Sequence, residues 1–124
     1  MAVFIRLAAG LLLIAHGLVH LLYLAPDVEE FTLDDSWIVG ANARRPVAYV
    51  LMAATVAAFA LVGLSVWGVP LLSPVWPALL IVASVLSLVL LVTFWNPRLV
   101  FGVAIDLTLI ALAVTRPAWT ASIA

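Results

Sequence analysis

Three side chains in this sequence have the chemistry and the spacing to form a site. Asp106 is the only formal charge in the apolar stretch 99–115. An ionisable residue in mid-span costs about 2.5–3.5 kcal/mol on insertion scales, so it normally faces a bundle interior and has a role. It shares a helix face with Gly102, Leu109, Ile110 and Ala113, and the small residues among these let a neighbouring helix approach closely. Two readings stand side by side. Asp106 is a proton, cation or ligand site, or it is a protonated carboxyl that glues helices through Thr55, Ser84, Ser87 or Thr93.

His16 and His20 are the only histidines. They lie i,i+4 on one helix face, and Tyr23 extends that stripe. Two imidazoles one turn apart can ligate one metal ion or relay a proton. Two histidines alone do not complete a zinc or iron site. The plainer alternative is a pair of neutral rings hydrogen-bonded to backbone or hydroxyl groups of other helices.

Depth joins the two sites. His20 lies six residues inside Pro26 and His16 ten, while Asp106 lies eight residues inside Arg98. At about 1.5 Å per residue those depths are roughly 9, 15 and 12 Å. Asp106 therefore sits at a level between the two histidines, and the three converge if the first and last helices are neighbours. Two histidines and a carboxylate are a recognised non-haem metal set. A His–Asp pair is equally a proton-handling unit, and a carboxylate also serves simply to orient a histidine. Tyr23, Tyr49 and Asn96 fall in the same half of the chain's topology and complete the candidate ligand or proton site.

The elements that must hold these residues follow from composition and punctuation. The chain has 124 residues, 68% hydrophobic and 9% charged, against about 45–50% and about 25% in soluble domains. A chain this apolar and this short cannot cover its surface with polar groups, so lipid is part of its expected solvent. Cysteine is absent, which excludes disulfide redox chemistry and thiolate metal sites. Lysine is absent too, and the five arginines form no basic patch, so nucleic acid is not an expected partner.

Residues 46–97 carry no formal charge over 52 positions. A span needs roughly 17–25 apolar residues, so this run is two spans and a turn. Gly68, Pro70, Ser73, Pro74 and Pro77 place the turn. The predicted fold is all-α, a four-transmembrane-helix bundle forming a single domain over residues 1–124. Its helices run over about 3–24, 46–67, 76–95 and 98–115, with a polar acidic loop at 27–45. Trp37, Trp67, Trp76, Trp95, Trp119, Tyr23 and Tyr49 fall at or near the predicted ends, as an interfacial aromatic belt does. Thr32 to Asp35 resembles a helix start, which places a short interfacial helix around 33–39. The first helix reads as a retained span, because no small-residue cleavage site precedes Asp27. Ala53, Ala54, Ala57, Ala58, Ala60 and Gly63 form a small-residue ladder for close helix packing or for a partner subunit. Arginine counts on the two sides, two against three, set no orientation.

The string His16-Gly17-Leu18-Val19-His20-Leu21, with Phe94-Trp95-Asn96-Pro97 and then Gly102-Val103-Ala104-Ile105-Asp106, resembles a family of small bacterial four-helix integral membrane proteins of uncharacterised function. The resemblance implies a four-span fold in a bacterial cell membrane. It implies no activity and transfers no catalytic residue.

The leading functional expectation is a small membrane protein that binds or transports a proton, cation or small lipophilic ligand at an intramembrane His16/His20/Asp106 site. Such a protein needs no enzymatic activity and no cofactor, and its limited interior favours a homo-oligomer. The alternatives are an accessory subunit of a larger membrane complex and a metal- or haem-dependent membrane enzyme using His16, His20 and Asp106 as ligands.

Overall fold

Glycine and proline separate the two longest helices of this chain. The computed structural model describes residues 3–21, 39–40, 42–95 and 99–122. Four α-helices account for most of them: α1 Val3–Val19, α2 Arg44–Trp67, α3 Trp76–Thr93 and α4 Val100–Thr115. Short 3-10 turns follow at Ser73–Val75 and Ala118–Ser122. The expected all-α four-helix bundle is the observed fold. Residues 33–38 of the expected interfacial helix, most of the acidic loop, Trp37, Tyr23 and Asn96 lie outside the described residues.

The turn at 68–75 forms where the glycine and prolines place it. Gly68 ends α2 in the left-handed region at φ 99°. Its N–H donates to Ser65 O at 3.1 Å, and the Val69 N–H donates to Leu64 O at 3.2 Å. This is the paired closure of a Schellman cap, which a residue without Cβ adopts at no steric cost. Arg6 reaches across from α1 and donates from Nε to Val66 O at 3.0 Å. A cation there satisfies a terminal carbonyl and lies at the negative end of the helix dipole. Pro77 falls in the first turn of α3, where its missing N–H costs nothing.

The helices pack in chain order, α1 on α2, α2 on α3 and α3 on α4. Contact between α1 and α2 is close because glycines face each other. A Cβ on Gly10 would lie 2.2 Å from Trp67 Nε1 and 2.9 Å from Gly63 O. A Cβ on Gly17 would lie 2.6 Å from Phe59 Cβ. Gly17 thus lets Phe59 press against α1 at the level of the histidines. The ladder expected along α2 divides accordingly: Ala58 and Gly63 are buried, while Ala53 and Ala57 face outward.

Two apolar clusters fill the interior. One joins Ala48 and Met52 of α2 to Leu90, Leu91, Phe94 and Leu99. The other joins Ala58, Phe59 and Val62 of α2 to Trp76, Leu80 and Ala83 of α3 and Ala113 of α4. Buried polar residues fall between them in sequence on every helix concerned: Thr55 on α2, Ser84 and Ser87 on α3, and Asp106 on α4. Trp76 departs from the expected belt. It starts α3 but turns inward and is only 4% exposed, because the turn before it delivers its ring over Leu80 and Ala83. Trp67 and Trp95 do lie exposed at helix ends.

α2, and α3 together with the preceding 3-10 turn, are long and apolar enough to cross a membrane, whereas α1 and α4 are shorter apolar helices. The outward faces are largely apolar: Phe4, Val50, Leu71, Val82, Phe101 and Leu107 are each more than half exposed.

Candidate functional site

The interior polar residues are wired to one another. His16 Nε2 lies 2.9 Å from Asp106 Oδ1, within hydrogen-bond distance. The second carboxyl oxygen, Oδ2, is hydrogen-bonded to Ser87 Oγ. Ser87 Oγ in turn lies 2.7 Å from His20 Nε2. His20 Nδ1 donates to two backbone carbonyls, those of His16 and Gly17, both at 3.0 Å. A continuous chain therefore runs His16–Asp106–Ser87–His20, joining α1, α4 and α3. Asp106 and Ser87 are fully buried and His20 is 2% exposed. The His16 side chain keeps 15% of its surface accessible.

The local fold explains each placement. The i,i+4 spacing turns both imidazoles toward the same neighbours. Phe59 of α2, seated by Gly17, supports them from below. Its ring meets His16 edge-on at 4.9 Å and lies nearly parallel to His20 at 6.2 Å between centroids. The packing of Leu91 against Gly102 brings α3 and α4 together one turn from Asp106. Depth does the rest. Ser87 is seven residues inside Phe94 and Asp106 is seven residues inside Leu99, so both sit roughly 10 Å from the same end of the bundle.

Proton accounting along this chain is restrictive. Each link holds one hydrogen, and a serine hydroxyl has only one to give. His20 Nδ1 must carry a hydrogen, because carbonyls only accept. Ser87 must therefore donate in one direction and accept from the other. If it donates to His20 Nε2, then Asp106 Oδ2 carries a proton and every group is neutral. If it donates to Asp106 while His16 donates to Oδ1, the carboxylate is ionised and His20 is doubly protonated. Both arrangements have the same net charge. They interconvert when one proton leaves Asp106 Oδ2 for Ser87 as the Ser87 proton passes to His20. In both, His16 is the Nε2–H tautomer and its Nδ1 is a free acceptor. Charge separation in a low-dielectric interior is costly, which favours the all-neutral arrangement.

His16, His20 and Asp106 lie at one level of the bundle, as depth along the helices implies, and Ser87, one of the four candidate hydroxyl partners of Asp106, is part of the chain. His16 reaches Asp106 directly, whereas His20 reaches it through Ser87. The backbones of α1 and α4 do not pack closely, and the His16–Asp106 bond bridges them. Among the described residues no group of three His, Cys, Asp or Glu is arranged to hold a metal ion. Both His20 nitrogens are turned to Ser87 and to carbonyls, away from a shared point with His16 and Asp106. Tyr49 stands apart: it is 45% exposed, and Arg45 Nη1 donates to its hydroxyl at 3.5 Å. Of the hydroxyls considered for Asp106, Thr93 instead donates to Val89 O, and the buried Thr55 Oγ1 and Ser84 Oγ have no hydrogen-bond partner among the described residues.

A cleft of about 290 Å³ adjoins this chain, walled by all four helices. Its lining is almost wholly carbon, and His16 is its one titratable residue. Ile105 and Leu12, 46% and 69% exposed, form part of the wall.

No family model, curated protein or solved structure matches this chain. The all-α bundle with its buried His20–Ser87–Asp106 network is thus defined by its own geometry.

Proposed function

We propose that this chain is a small multi-pass protein of the bacterial cell membrane that handles a proton at the His16–Asp106–Ser87–His20 chain, alone or coupled to a cation or a small lipophilic ligand. The observation that carries this reading is the chain itself, whose hydrogen bonds admit two proton placements of equal net charge. A relay that moves a proton without changing total charge is suited to a low-dielectric interior, where an unbalanced charge is penalised heavily. The membrane part of the reading is supported by the apolar character of the exposed surface. Leucine, valine and phenylalanine stand exposed along all four helices while the polar chain is buried between two apolar clusters, unlike a water-soluble surface.

The test is Asp106→Asn in vesicles of phosphatidylcholine and phosphatidylglycerol under an imposed pH gradient, with an internal pH-sensitive dye. Asparagine preserves the shape and the hydrogen bonds of the protonated carboxyl but cannot release the proton. Proton movement above the empty-vesicle rate is expected for the unaltered protein and is expected to be lost in Asp106→Asn, with helicity unchanged. Equal proton movement in the two proteins would sink the proposal.

A second reading, an accessory subunit of a larger membrane complex, is favoured by one feature. Val50, Ala53, Ala57 and Leu61 make an outward stripe along α2 whose small members would admit a partner helix. It predicts a stoichiometric partner after purification in mild detergent.

A further inference from the structure

The apolar cleft and the free nitrogen of His16 together define a ligand. We infer that the cleft binds a lipophilic alcohol or phenol, with its hydrocarbon body between α1 and α4 and its hydroxyl donating to His16 Nδ1. The inference deepens the proton-handling reading and takes from it only the tautomer of His16.

Three observations carry it. First, the cleft has about 290 Å³, at the small end of the roughly 300–1,000 Å³ that ligand sites occupy. It has room for about ten water-sized groups at ~30 Å³ each. Second, its wall is built from carbon. Leu12, Leu13, Leu80, Leu109 and Ile105 supply much of it, and such a cavity favours hydrocarbon over water. Third, the wall has one titratable residue, His16. Asp106 engages His16 Nε2, no described residue engages Nδ1, and the all-neutral arrangement of the chain, in which Nε2 is the donor, leaves Nδ1 with a lone pair. An acceptor in an otherwise apolar wall selects a ligand with one O–H donor, because a ligand without it leaves the nitrogen unpaired. Carboxylic acids and cations fit less well. The former bring a charge that nothing in the wall neutralises, and the latter meet no anionic oxygen, since Asp106 already spends both of its oxygens on His16 and Ser87.

The protein in nanodiscs of phosphatidylcholine is titrated with naphthol and with its methyl ether, each corrected for partition into empty nanodiscs. The two probes share one aromatic body and differ in the hydroxyl hydrogen. Saturable binding of both is expected, with naphthol favoured about five- to tenfold, the value of one hydrogen bond. His16→Phe is expected to bring the ratio to about one, and Leu80→Trp, which fills the cleft, to remove both. Equal affinities in the unaltered protein overturn the inference, as does a ratio that survives His16→Phe. Absence of saturable binding also overturns it and leaves a bilayer acyl chain as the occupant. The comparison of the two probes needs no variant to fold. Asp106→Asn still accepts the His16 N–H, so it keeps the naphthol preference while losing proton movement. Failure of the cleft and failure of the relay are thus separate results.

Discussion

Asp106→Ala is expected to lower the stability of the bundle by about 2–4 kcal/mol, while Asp106→Asn lowers it by less than about 1 kcal/mol. The difference follows from what each substitution leaves behind. Alanine orphans the His16 Nε2–H, takes from Ser87 one of its two hydrogen bonds and leaves a cavity, and an unpaired buried group alone costs roughly 1–3 kcal/mol. Interhelical hydrogen bonds in membranes are often weaker than this, but here one side chain holds α1, α3 and α4 at once. Asparagine keeps all three together. Its carbonyl accepts from His16, its amide donates to Ser87, and Ser87 then donates to His20. Thermal or denaturant unfolding in mixed micelles measures the two variants side by side. An Asp106→Ala protein as stable as Asp106→Asn would mean that the network contributes nothing to holding the helices.

Ser87→Ala is expected to uncouple His20 from Asp106 and to slow proton movement by about 10²-fold, the scale on which a positioned proton donor or acceptor acts. The hydroxyl is the only described bridge between the carboxyl and the imidazole. Its loss leaves a buried lone pair on His20 and a buried oxygen on Asp106 without partners. Ser87→Thr restores a hydroxyl on the same Cβ and is expected to recover most of the rate. A merely structural serine would respond differently: both variants would alter stability according to side-chain volume, with no recovery of rate in threonine. Vesicle dye measurements on both proteins separate the cases.

Much of the architecture was legible because its signals are local. Gly68 and the prolines at 70, 74 and 77 mark the α2–α3 turn by their backbone preferences alone. Long charge-free runs set the number of helices, and counting residues inward from the charged ends put His16, His20 and Asp106 at one level. Rotation about the helix axes was not legible. Each helix is apolar nearly all round, so no polar stripe tells which hydroxyl of α3 faces α4, and Ser84, Ser87 and Thr93 looked equivalent. Depth distinguishes Ser87, which matches Asp106 to the residue when both are counted from their nearer helix ends. Phe59 carried no signal at all, being one aromatic residue in an apolar helix. Its place under the imidazoles depends on Gly17, whose missing side chain matters only once α1 and α2 are in contact. Tyr49 lies near the same end of the bundle as the site, yet its side chain is exposed and meets Arg45. Trp76 shows the opposite error, a residue at a helix end that belongs to the core.

The most direct test of the proton chain is nitrogen-15 NMR of the two histidine rings in lipid bilayers, read together with the infrared carbonyl band of Asp106. Opposite neutral tautomers are predicted, His16 protonated at Nε2 and His20 at Nδ1, with a protonated-carboxyl band that disappears in Asp106→Asn. Two rings of the same tautomer, or two cationic rings beside an ionised carboxylate, would contradict the single-proton chain and with it the proposed function.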